Sequence, residues 1–175
     1  MLEQHAQTVA SLRRSALYRP LPAHEVSYGP SALERLIPHR PPLRLVDGLH
    51  AVDLESGCFA GTFRPRAEDP VFVGHFPGQP VYPGVLLVEA MGQLGLCGSA
   101  LAARNGTLPA PGEAPAGVRV IKLHHAVFLA PVGPDEELTL LARTLTDDGF
   151  TAIMAGQVWR GDDLCAACIS EVFFV

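Results

Sequence analysis

Lysine is nearly absent. Lys122 is the single lysine among 13 basic residues; the rest are arginines. No G-x-x-x-x-G-K-[ST] phosphate loop and no H-E-x-x-H motif occurs, which excludes those routes to nucleotide and metal chemistry. Positive charge is also in deficit. The net charge of −5 disfavours bulk nucleic-acid binding. An apolar signal-peptide core is missing near the N-terminus, where Glu3, Arg13 and Arg14 stand, so the expected location is the cytoplasm. Cysteine is sparse: Cys58, Cys97, Cys165 and Cys168. The C-A-A-C spacing at 165–168 lacks a second close pair, and residues three apart in a strand point to opposite faces. These cysteines read as reduced, buried thiols. No internal repeat is present.

What the chain does have is an ordinary globular composition, 48% hydrophobic and 18% charged. Its 175 residues suit one domain with a real core, burying about 70% of the unfolded surface. Residues 1–30 read as an N-terminal extension: 2–19 can form a helix, which "PLPAHEVSYGP" breaks. Residues 31–175 read as a single domain. Ser31 and Glu34 form a capping-box pattern for a short helix that ends at Pro38. Strand-like runs follow at 43–54 and 58–65, then a helix at 84–104 and a Pro/Gly-rich loop, "NGTLPAPGEAPAG". Four more strand-like runs, at 118–129, 137–146, 150–160 and 164–175, are separated by "PVGPDE", "DDG" and "GDD". Strands on both sides of one helix predict an α+β fold, with an antiparallel sheet wrapping that helix. Gly92, Gly95 and Gly98 would let sheet side chains approach the helix backbone, at a cost of roughly 1 kcal/mol each relative to Ala. The apolar run at 85–103 is long enough for a membrane span. Glu89, Gln93 and the glycines oppose that reading, since a mid-bilayer charge costs about 2.5–3.5 kcal/mol. A helix buried in protein is expected instead.

Chemistry concentrates in "VFVGHFPGQPVYPGVLLVEAMGQL". His75 sits in a loop stiffened by Pro77 and loosened by Gly74 and Gly78. Pro83 and Gly84 open the helix, where backbone N–H groups lack partners and carry partial positive charge. Gly84 leaves its N–H open to a ligand oxygen, as in an oxyanion hole. Glu89 shares a helix face with Val85, Gly92, Gln93 and Leu96. A carboxyl on so apolar a face is expected to be desolvated, which favours its protonated form. A neutral His75 as base and a protonated Glu89 as acid suit elimination of water beside a carbonyl. Phe76, Pro83, Val85 and Gln93 are expected to line the substrate channel. His39, His124 and His125 are expected to be structural or solvated, and Met91, Leu87 and Leu94 to be core.

"GHFPGQPVYPGVLLVEAMGQ" closely resembles the signature of 3-hydroxyacyl-[acyl-carrier-protein] dehydratases of the FabZ type. "IPHRPPLRLVD" resembles the family's upstream motif, and "VFLAPVGPDEELTL" its later strand-turn-strand segment. The resemblance covers roughly 33–175 and implies the hotdog fold. It implies His75 and Glu89 as the catalytic pair, each site taking one from either subunit of a homodimer; dimers and hexamers both occur in the family. It places the oxyanion donor on Gly84 and the carbonyl that orients the histidine on Val81. Glu89, where the FabA type carries Asp, implies dehydration without isomerisation. No cofactor or metal is implied.

Some positions depart from the family pattern. Leu129 and Ala130 stand where basic residues are usual, and Arg44 where an apolar one is. These changes are compatible with a specialised lipid or polyketide pathway rather than housekeeping fatty acid synthesis; the expected setting is fatty acid or specialised lipid or polyketide biosynthesis. The implied partner is an acyl carrier protein bearing a phosphopantetheine-linked acyl chain. Such carriers are acidic, so Arg40, Arg44, Arg64, Arg66, Arg104 and Lys122 are the candidate docking residues. A hotdog thioesterase and a non-catalytic acyl-binding subunit are the alternative activities.

Overall fold

A computed structural model describes residues 8, 10–115 and 117–175. Seven strands form one antiparallel sheet: β1 (Glu25–Tyr28), β2 (Gly48–Asp53), β3 (Cys58–Phe63), β4 (Val118–Phe128), β5 (Leu138–Asp147), β6 (Thr151–Arg160) and β7 (Asp163–Phe174). Their spatial order is β1-β2-β3-β5-β6-β7-β4. Three helices interrupt them: α1 (Pro30–Leu36), α2 (Val71–Gly74) and α3 (Gly84–Ala102). The sheet wraps α3 in the hotdog arrangement. Leu87, Ala90, Met91, Leu94, Cys97 and Leu101 of α3 are buried in the main core. α3 is the one helix among the described residues long and apolar enough to cross a membrane, and half of it is buried inside this fold.

The close approach of helix and sheet rests on glycine. A Cβ on Gly98 would lie 2.2 Å from the Phe59 ring, and one on Gly95 would lie 2.5 Å from Met154 Sδ. Gly92 differs from the expectation: nothing lies within 4 Å of its Cβ position, so it faces away from the sheet. The short α2 went unpredicted because one turn leaves no periodic signature.

Two local expectations fail for identifiable reasons. α1 begins at Pro30 after an N-cap at Gly29, with no side-chain cap bond, so Ser31 and Glu34 do not act as a capping box. Proline at the first helical position presets the backbone and spares an unpaired N–H. The apolar run at 43–54 enters a strand only at Gly48. Before that point its backbone is held by a side chain: Leu45 N donates to Gln93 Oε1 at 2.7 Å, and Gln93 Nε2 donates to Leu43 O at 2.7 Å.

The N-terminal segment is not set apart from the sheet. β1 pairs with β2. Upstream, an arm crosses the sheet face opposite α3, where Leu12 packs with Ala155, Ala167 and Ile169. Tyr18 packs with Ala51, Ala60 and Leu141. Of the helix expected over 2–19, residues 10–12 are helical, and part of the stretch lies outside the described residues. Gln157 of β6 clasps the arm. It is fully buried and accepts from Leu17 N at 2.7 Å, while its Nε2 donates to Leu12 O at 2.7 Å and Ser15 O at 2.9 Å.

Gly98→Ala is expected to destabilise the fold by about 1–3 kcal/mol through overpacking against Phe59, read as a lower thermal midpoint. Gln157→Leu is expected to free the arm. Limited proteolysis should then cut within 10–20 well before the sheet unfolds, a loss of about 1–3 kcal/mol from unpaired buried groups.

Candidate active site

The loop after α2 is built around one histidine. His75 N donates to Val71 O at 3.0 Å and ends that helix. Val81 N donates to His75 O at 2.8 Å, and the imidazole Nδ1 lies 2.8 Å from Val81 O. A carbonyl oxygen only accepts, so Nδ1 carries the proton and Nε2 keeps its lone pair. The Phe76 ring stacks on the imidazole at 4.0 Å. The histidine is therefore fixed in position by main chain, with no protein hydrogen bond to its Nε2 among the described residues.

Pro83 and Gly84 open α3 beside that loop, with Pro83 as an extended N-cap. Among the described residues the Gly84 N–H has no recorded partner. A Cβ at Gly84 would lie 2.6 Å from the Phe128 ring, so the end of β4 covers the start of α3. A cleft of about 470 Å³ forms there, lined by His75, Val81, Pro83, Gly84, Val85 and Phe128, among others. It combines a lone-pair nitrogen, an open backbone donor at a helix N-terminus and apolar walls. Leu129 and Ala130 also line this cleft, so the positions that depart from the family pattern lie at its wall.

Glu89 lies further along α3 and does not line that cleft. Among the described residues no hydrogen bond or ion pair joins it to His75. Its side chain is 31% exposed, so within one chain it is only partly withdrawn from water. A helical period shows which residues share a face, not what covers it. Gln93 Nε2 donates to Glu89 Oε1 at 2.8 Å. Gln93 itself is only 1% exposed, with both amide hydrogens and its oxygen engaged, so it stands behind Glu89 and not in a channel. His39 Nε2 comes within 3.3 Å of Glu89 Oε1. His39 stands in the upstream motif, but fifty residues of chain separate it from Glu89, and no local pattern reports their proximity.

The six candidate docking residues do not form one patch. Arg44, Arg64 and Arg66 line a cleft of about 440 Å³, which also holds Asp47, Glu68 and Asp69. Arg44 is largely buried against Glu34, at 3.1 Å. Arg40 binds the Glu34, Ile37 and His39 carbonyls. Arg64 pairs with Glu137 at 2.7 Å, and Arg66, the most exposed, lies 3.5 Å from Asp47. Arg104 pairs with Glu113, and Lys122 stands opposite Glu171 on the β4–β7 ladder.

All four cysteines are free and buried. Burial pushes the Cys97 and Cys168 thiols up to about 12, which removes them as thiolate nucleophiles near neutral pH. No group of three or more His, Cys, Asp or Glu side chains is placed to hold a metal among the described residues. His124 pairs with Glu171 at 2.7 Å.

Residues 37–168 match the FabA-like domain family. The 3-hydroxyacyl-[acyl-carrier-protein] dehydratase FabZ of Syntrophotalea carbinolica is 34% identical over 141 residues, which are 80% of this chain and 90% of the relative. The FabZ of Aliarcobacter butzleri is 34% identical over 134 residues, 77% of this chain and 88% of its own. Among solved structures, the dehydratase heterocomplex ApeI:P from Xenorhabdus doucetiae superposes with a TM-score of 0.66, over 82% of this chain and 90% of that one, at 14% identity. The fluoroacetyl-CoA thioesterase FlK superposes with a TM-score of 0.52, over 67% and 84%, at 16% identity. At such identities both structures speak to the fold alone, and they agree on the hotdog. With most of its length matched by the family and by FabZ relatives, this chain belongs to the FabA-like family, on its FabZ side.

Proposed function

We propose that the protein dehydrates a 3-hydroxyacyl thioester, carried on an acyl carrier protein, to the trans-2-enoyl thioester of fatty acid synthesis. The observation that carries this is the cleft at the start of α3, lined both by His75, whose Nδ1 is held by Val81 O, and by Gly84, whose N–H has no protein partner among the described residues. The thioester oxygen sits on the Gly84 N–H, and His75 Nε2 removes the proton from C2 as negative charge develops on that oxygen. Glu89 gives its proton to the C3 hydroxyl. The C3–O bond breaks, water leaves and the C2–C3 double bond forms. His75 ends protonated and Glu89 ionised; a proton passing between them, through the released water, resets the site.

His75 and Glu89 act across a homodimer in this scheme. Three observations support that arrangement. The two side chains have no contact within one chain. The helix face that carries Glu89 is uncovered, with Val85 71% exposed and open space over Gly92. β4 is an edge strand with exposed Val120, Ile121 and Leu123, and such an edge invites pairing with another chain. A second copy laid against both features covers Glu89 and completes the desolvation that one chain begins. Leu96, Ala100 and Ala103 continue the Glu89 face into an apolar groove of about 500 Å³, a path for the acyl tail. The acidic carrier docks on Arg64 and Arg66, whose guanidinium groups are the more exposed ones at their cleft. The reaction needs no metal or cofactor, and its setting is the cytoplasm.

His75→Ala and Glu89→Gln are each expected to lose about 10²–10⁴-fold in kcat for hydration or dehydration of a short acyl thioester. Full activity in both would sink the assignment, and release of free thiol would favour a thioesterase. Mixing the two inactive variants tests the shared site. A heterodimer holds one intact His75–Glu89 pair, so random re-pairing should restore about a quarter of wild-type activity. No recovery on co-expression would place each pair within its own chain.

A further inference from the structure

One oxygen of the acid is crowded by donors and the other is not. Glu89 Oε1 accepts a hydrogen bond from Gln93 Nε2 at 2.8 Å, and His39 Nε2 stands 3.3 Å from the same oxygen without yet having hydrogen-bond geometry. Among the described residues no donor is recorded on Oε2. The position of His39 is built. It follows α1 and Pro38, and Arg40 grips the backbone on either side through the Ile37, His39 and Glu34 carbonyls at 2.8–3.0 Å. Its side chain is four-fifths buried, and its Nδ1 is buried with no partner. A proton on Nδ1 would bury an N–H with no acceptor, so of the two neutral tautomers the one favoured has its proton on Nε2, toward Glu89.

We infer that His39 is a positioning residue for the acid: with Gln93 it directs two N–H donors at Glu89 Oε1 and leaves Oε2 to carry and deliver the proton. This rests on Glu89 being the acid of the dehydration. Two donors on Oε1 exclude a proton there by repulsion. After proton transfer the same donors face the new carboxylate charge, so their contribution is larger late in the reaction than in the bound ground state. Such an interaction acts on kcat and leaves KM alone. A separation of 3.3 Å in a free enzyme is compatible with this role, because catalytic hydrogen bonds tighten when substrate closes the site.

The test pairs His39→Leu, which removes the donor, with His39→Gln, whose amide nitrogen reaches the place of Nε2. For His39→Leu kcat is expected to fall about 10–10²-fold at nearly unchanged KM and thermal midpoint. His39→Gln should recover most of kcat. Equal loss in both variants, no loss in either, or a loss confined to KM would overturn the role. A second readout does not need turnover. In protein labelled with ¹⁵N-histidine, the His39 imidazole should be the neutral Nε2–H tautomer, and its signals should shift in Glu89→Ala. A His39 Nδ1–H tautomer, or signals indifferent to Glu89→Ala, would overturn the inference even if His39→Leu fails to fold. Wild-type protein that shows the expected tautomer but no dehydration would uphold the contact and count against the dehydration assignment alone.

Discussion

A single buried amide holds the candidate site to the fold. Gln93 sits inside α3 and commits both amide hydrogens and its oxygen to three partners: Leu43 O, Glu89 Oε1 and Leu45 N. It thereby fixes a non-helical, non-strand segment against the helix and aims the carboxylate in the same act. No apolar side chain of similar volume could replace it, because the Leu45 N–H and Leu43 carbonyl would be left unpaired near the core. The constraint propagates. With 43–45 pinned, β2 starts at Gly48 and the preceding His39 is delivered to the acid. Polar groups are costly inside a protein, and that cost makes this one specific: only one arrangement of loop and helix satisfies every member.

Much of this was legible in the sequence, and the failures share a cause. The loop-helix pattern around His75 and Gly84 is local, carried by proline and glycine at fixed offsets, and it was readable. So were the later strands, whose observed bounds differ from the expected ones by about one residue. What could not be read depends on groups far apart in the chain. The run at 43–47 has strand composition, but its backbone is claimed by a side chain fifty residues away. β1 is four residues long and alternates only weakly, so nothing but its pairing with β2 reveals it. Gln157, a polar residue in an apolar strand, carries no motif, and its meaning appears only once the arm lies over it. Ser31 and Glu34 had the right spacing for a cap, yet Pro30 starts the helix two positions earlier, with Gly29 as its N-cap.

The helix that raises the membrane question also resolves it. α3 is hydrophobic nearly all round because the sheet surrounds most of its circumference, and glycines at 95 and 98 allow that sheet to come close. The strip left uncovered is the strip with chemistry on it, from Val85 through Glu89 to Leu96. An apolar surface of this kind is a standing invitation to association. With Glu89 as the proposed acid, assembly and catalysis would share one face. The outer face of the sheet faces the same problem with a different solution, since the N-terminal arm covers its alanines and Ile169.

The separation of His75 from Glu89 within one chain also has a kinetic consequence. When two halves of a site come from different copies, the working enzyme is the pair, and its concentration obeys mass action. Specific activity then depends on how far the protein is diluted, with a midpoint at the dissociation constant of the pair. Substrate spanning both halves would hold the copies together and shift that midpoint downward. In the proposed two-copy site, quaternary affinity would become a kinetic parameter of the enzyme, set by residues on β4 and α3 away from the reacting carbon atoms.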